Sequence, residues 1–167
     1  MMKLFGTLII LACGILSGIT VLENHKNKIK FLKEYIEFIL FIKSEIKYSQ
    51  KTIYEISKNA SSGKLFLPYI KNFIKFSTIQ SLPDDWAHTY DNIKENLRIS
   101  PEEKALIIKF GENLGITDVL SQINYCDHHV KCITSHLIKE QDKQKQLGNL
   151  PLILSIGISA VIILIII

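Results

Sequence analysis

Uncharged apolar residues run from Leu4 to Leu22 and again from Leu150 to Ile167, and between them lies a polar, lysine-rich middle. At a helical rise of about 1.5 Å per residue each run reaches roughly 27 to 29 Å, close to the hydrocarbon thickness of a bilayer. The pattern predicts a membrane helix at each end. Through the middle the apolar positions recur at three and four, and no strand alternation is visible. Ile29, Leu32, Ile36, Ile39, Ile42 and Ile46, continued by Ile53 and Ile56, predict a long first helix running to about Ala60, stopped by Ser61, Ser62 and Gly63. A short second helix carries Tyr69, Ile70, Phe73 and Ile74 and starts near Pro68, a residue tolerated in a first helical turn.

Ser81 opens a third helix. Pro83, Asp84 and Asp85 crowd its first turn, where carboxylates favour the positive end of the helix dipole, and Trp86, Tyr90, Ile93 and Leu97 mark one face. Ser100, Pro101, Glu102 and Glu103 read as a capping box that starts a fourth helix, with Leu106 or Ile107, Phe110 and Leu114 along one side. Gly115, free to take the left-handed conformation, is expected to end it. A long fifth helix then sets Ile116, Val119, Ile123, Cys126, Val130, Ile133 and Leu137 against a neighbour, and its wholly polar stretch from Lys139 to Gln146 is expected to stand clear of the core. The fold class expected is all-α: an antiparallel helical bundle over residues 23–149, flanked by transmembrane helices over 1–22 and 150–167.

Composition narrows this picture. The 47% hydrophobic content is concentrated at the ends, leaving about 125 residues, enough for one modest core. Lys26, Lys28, Lys30 and Lys33 follow the first run, and Lys139, Lys143 and Lys145 precede the last, so the positive-inside rule puts the middle in the cytoplasm of a two-pass protein. Cys126 and Cys132 would then meet a reducing compartment, and Cys13 would sit in lipid. An alternative takes Ile10 to Cys13 as a lipoprotein cleavage site, which would place the middle outside; the apolar run continuing past Cys13 argues against it. Gly14 and Gly18 stand four apart, as do Ser155 and Ser159, the small-residue spacing that lets membrane helices approach closely, within one molecule or between copies.

The run Phe110, Gly111, Glu112, Asn113, Leu114, Gly115, Ile116, Thr117, Asp118, with Gln122 four further on, resembles the FGxxLGxxDxxxQ signature of the stage III sporulation protein AB family. Glu45, Ile46 and Tyr48 match an earlier motif of that family, and Trp86 falls where a tryptophan is expected. One departure is that family members continue the tyrosine motif with Thr-Pro-Leu, whereas this chain has Lys51, Thr52 and Ile53, so the first helix is expected to run on past Tyr48 unbroken. The resemblance implies a part in a multiprotein complex that the mother cell builds in its membrane during spore formation. Members of the family look like the F-type platform protein of type II secretion and type IV pilus machines. The partners so implied are other stage III sporulation proteins, including a cytoplasmic ATPase, together with membrane lipid and further copies of the chain.

The residues of the signature also have a reading of their own. Gly111, in mid-helix, costs up to about 1 kcal/mol relative to alanine, and the return is close approach of another helix. Thr117 or Asp118 would cap the fifth helix; a polar contact of Asp118 and Gln122 with a partner is the competing view. Catalysis finds little support. Ser61 to Leu65 offer a Gly-Lys pair without the rest of a phosphate loop, and no Ser-His-acid or Cys-His set can be built from spacing, so neither an enzyme, a cofactor nor a small-molecule substrate is expected.

Metal binding is the sharpest rival, a membrane-anchored sensor with no machine attached. His129, Cys132 and His136 share a helical face, with His128 and Cys126 nearby. Yet seven residues are about 10.5 Å of rise, and zinc bonds of about 2.0 to 2.3 Å allow at most two of them one ion. They are therefore read as residues bordering the apolar stripe. Residues 23–76 hold eleven lysines against five acids, about +6, and 77–149 come to about −3, so a basic half could face anionic lipid or an acidic partner. Arg98 is the only arginine, and nucleic acid is not an expected partner.

Overall fold

In the computed structural model the described residues are 2–49, 51–61, 63–76, 81–91, 93 and 97–166. They form seven helices: α1 (Met2–Tyr48), α2 (Ile53–Lys58), α3 (Leu67–Phe76), α4 (Leu82–Asp91), α5 (Pro101–Glu112), α6 (Val119–Leu147) and α7 (Leu150–Ile166). No strand occurs among the described residues. α1 is unbroken for 47 residues, passing from the apolar run into the bundle without interruption. α6 and α7 run antiparallel to it: Lys28 meets Glu140, Tyr35 meets His129, and Gly14 and Gly18 lie against Ser159 and Ser155. Gly148, at φ +46, makes the joint between α6 and α7.

One stretch of α1 is long and apolar enough to cross a membrane. α7 is 17 residues long and uncharged; α6 and α7 reach that length and hydropathy only together, across a 44° bend.

The core fills the space between α1, α6 and the four short helices. Phe31, Tyr35, Phe38, Phe66, Phe73, Trp86, Tyr90 and Phe110 are all fully buried. Ring pairs run through it, Trp86 on Tyr90 at 4.5 Å and Phe66 on Tyr90 at 5.7 Å. Aromatic side chains bring the largest apolar area per residue, which is how a middle of this size builds one continuous core. α1 holds the turn that leads into α3: the buried Glu34 carboxylate accepts hydrogen bonds from Leu65 N and Phe66 N, both at 2.8 Å. A β-carbon at Gly63 would collide with that carboxylate.

Several expectations are corrected. The first helix does not run to Ala60. It ends at Tyr48, and α2 restarts at Ile53 behind an extended Thr52 (φ −67°, ψ 156°) whose side chain accepts from Glu55 N while its own N–H donates to Glu55 Oε2 at 2.8 Å. This capping box breaks the helix without a proline and turns Ile53 and Ile56 into the core. α2 stops at Lys58 with Asn59 as C-cap, and Ser62, expected among the stop residues, lies outside the described residues.

α4 ends at Asp91, so Leu97, although buried, belongs to a separate segment, and Arg98 at φ +49 turns the chain towards Ser100. α5 ends at Glu112 rather than Gly115, with Asn113 as C-cap; Gly115, at φ +81, lies in the turn beyond. On α6 the inward stripe is Gln122, Cys126, His129, Ile133, Leu137 and Glu140, while Ile116 and Val119 are exposed. Polar groups hold that register, because Tyr35 and Lys28 on α1 reach His129 and Glu140. In the stretch from Lys139 to Gln146 Glu140 is buried, while Lys139, Asp142, Lys143, Lys145 and Gln146 are exposed as expected, and His129 is an interior residue, not a border one.

Candidate functional site

The α5–α6 turn carries the signature residues, and each finds a partner inside the protein. Phe110 stacks on Tyr125 at 5.7 Å and meets His129 in a tilted arrangement at 4.7 Å, with Trp86 edge-on at 5.8 Å. Gly111 lies directly beneath the Trp86 indole, where a β-carbon would collide with the ring. Trp86 is held there by its Nε1–H, which donates to the Ile107 carbonyl at 2.7 Å. Leu114 is buried. Asp118 caps α6, accepting from Leu120 N at 3.0 Å and Ser121 N at 3.1 Å; hydrogen bonding to the Ser121 side chain first, and then to these amides, holds its carboxyl below the usual range.

Gln122 staples the turn. Its Nε2 donates to the Asn113 carbonyl and to Thr117 Oγ1, both at 3.0 Å, and its Oε1 accepts from Gly115 N at 3.1 Å. A buried amide with three partners in one loop is fully spent on the fold. Tyr125 adds a further tie, donating from its hydroxyl to the Lys109 carbonyl at 2.9 Å.

The other motif residues lie across from this turn, at the end of the bundle away from the apolar runs. Ile46 and Leu114, with Ile53, Leu82, Ile116 and Val119, line an open cleft of about 580 Å³. No carboxylate, imidazole or thiol is among the residues lining it. Glu45 faces Lys51 at 3.8 Å, and its carbonyl accepts from Ser49 N at 2.7 Å at the end of α1. Tyr48 is 76% exposed, with the Lys47 ammonium 5.1 Å from its ring centre. In the apolar part, Gly14 and Gly18 leave no room for a β-carbon against Ser159 and Ser155, so α1 and α7 touch backbone to side chain.

A charged cluster escaped sequence reading. Lys28, 6% exposed, lies 3.0 Å from Glu103 Oε2 and 3.0 Å from Glu140 Oε1, joining α1, α5 and α6. His25 stands 3.8 Å from Glu140, and His136 3.9 Å from Glu103. Burial pushes the Glu140 carboxyl up, but the Lys28 hydrogen bond and charge outweigh it, leaving a net downward shift. The signal was present in the pattern: Lys28 and Glu140 occupy inward positions of the stripes on α1 and α6.

Elsewhere in the interior of the bundle, α1 and α6 meet through a tyrosine and a histidine. Tyr35 Oη lies 2.9 Å from His129 Nε2. Burial lowers the His129 pKa to about 4 and raises that of Tyr35 well above its ordinary value. The Gly63–Lys64 segment offers no nest for phosphate, because Glu34 already occupies the amides of Leu65 and Phe66. Among the described residues no group of three or more His, Cys, Asp or Glu could hold a metal ion. His129 and His136 turn to Tyr35 and Glu103, and Cys132 faces His128.

These features define an all-helical protein whose long apolar N-terminal helix carries a small aromatic-cored bundle, with its signature residues committed to packing one interhelical turn. The chain belongs to the stage III sporulation protein AB family, which it matches over residues 3–167. It is similar to stage III sporulation protein AB of Bacillus subtilis (strain 168), with 25% identity over 172 residues that cover 99% of this chain and 98% of that protein. No solved structure matches.

Proposed function

We propose that the protein is a non-enzymatic platform or adaptor subunit of a sporulation-specific, secretion-like channel complex. It sits in the mother-cell membrane, anchored by α1 and α7, with the bundle on the cytoplasmic side. Its partners are other stage III sporulation proteins, a cytoplasmic ATPase among them, and the lipid around its spans. The observation that carries this reading is the match to a sporulation family over the whole chain, apolar ends included. Further support comes from the polar residues of the signature, which are consumed in their own turn, and from a cleft lined by no carboxylate, imidazole or thiol.

The lysines flanking both apolar helices favour the cytoplasmic side for the bundle. Affinity purification of the full-length protein from sporulating cells tests the proposal. Recovery of a motor ATPase and other membrane components is expected; recovery of the protein alone, from cells whose sporulation is unaffected by its deletion, overturns it.

A further inference from the structure

His128 and Cys132 stand one turn apart on the outer side of α6, and Cys132 Sγ lies 3.7 Å from His128 Nε2. Zinc bonds of about 2.3 Å to sulfur and about 2.0 Å to nitrogen, at a tetrahedral angle, set a sulfur-to-nitrogen edge of about 3.5 Å. The two side chains already stand at nearly that spacing. His128 is exposed, Cys132 is half-buried, and its thiol is free. No third ligand accompanies them among the described residues, so one chain offers half a tetrahedron.

The surroundings favour a second copy as the source of the other half. Along this face Ser121, Asn124, Tyr125, His128, Cys132 and Ser135 follow at intervals of one, three or four residues, all exposed or half-buried and none of them carboxylate or ammonium. The exposed Lys131 borders this stripe, and Asp127 beside it is paired with Lys43. Two copies anchored in the same membrane share one orientation, and a two-fold axis along the membrane normal brings the pair on one α6 opposite the identical pair on the other.

We infer that His128 and Cys132 form half of a zinc site that a second copy of this chain completes as two cysteines and two histidines. Binding releases the thiol proton of each Cys132 to solvent, so the site is pH-dependent. The inference goes beyond the adaptor reading, needing only that copies share a membrane.

The test uses tag-free, full-length protein in detergent micelles under a non-chelating reductant, titrated with zinc chloride and followed by metal analysis and light scattering. One zinc per two chains is expected, with a doubling of protein mass that EDTA reverses. Cys132→Ala and His128→Ala should each weaken zinc binding at least tenfold and abolish the doubling. Their circular dichroism should stay unchanged, because neither side chain is in the core. Failure to retain zinc, equal retention by both variants, one zinc per chain without doubling, or a dimer that only omission of the reductant produces would each overturn the inference.

Discussion

Gly111 shows how one missing β-carbon sets the position of an indole. Alanine in its place gains up to about 1 kcal/mol of helix propensity but meets Trp86, a fully buried side chain pinned by its bond to Ile107. Overpacking of this kind costs about 1 to 3 kcal/mol, so Gly111→Ala is expected to be net destabilising. A denaturation midpoint above that of the parent protein would contradict the account. His129 gives a second prediction at this scale. Its folded pKa is about 4 against an ordinary 6.5, so the unfolded chain binds the extra proton first as pH falls. Its contribution to stability is unchanged above about pH 6.5 and is lost progressively towards pH 4, by about 3 kcal/mol in all. Thermal midpoints measured from pH 7 to 4 should fall, and His129→Gln should flatten the slope.

Short helices in this fold exist because their ends are satisfied. α2 has only six residues, too few to persist in isolation, and rests on the Thr52–Glu55 capping box and the burial of Ile53 and Ile56. The α5–α6 turn rests on Gln122 in the same way. Gln122→Leu removes three hydrogen bonds and leaves Gly115 N and the Asn113 carbonyl without that partner. A loss of about 1 to 3 kcal/mol is expected. Hydrogen exchange should report it first at residues 113–118, while amides in the middle of α6 keep their protection. Uniformly faster exchange along α6 would mean that Gln122 supports the helix and not the turn.

At the scale of the molecule, the Lys28 cluster ties the long helix that leaves the apolar run to α5 and α6. Removing one member of a buried pair leaves an uncompensated charge, whereas replacing the set by apolar groups is often neutral. Lys28→Met is expected to destabilise by about 3 to 5 kcal/mol. Adding Glu140→Gln should restore part of that loss, because one of the two stranded carboxylates is then neutral. A double-mutant cycle on the detergent-solubilised protein measures this; strict additivity of the two substitutions would show that they are not coupled.

Much of this protein is legible from spacing alone. The helical class, the apolar ends, the capping box at Ser100 and the cap at Asp118 follow from local rules, since propensity, amphipathic period and capping act within a few residues. The boundary at Tyr48 went unread although Thr52 and Glu55 carry a capping pattern, because the apolar stripe continues through Ile53 and Ile56 and hides it. Long-range pairing lay outside such rules. Nothing within a few residues of His129 announces Tyr35, 94 positions away, and nothing near Lys28 announces Glu140, 112 positions away. Those partners set which face of α6 turns inward, because a buried polar group is stable only where the complete fold delivers its counterpart. Composition and period could therefore establish the helices, while their register and the use of each polar side chain depended on how distant segments met.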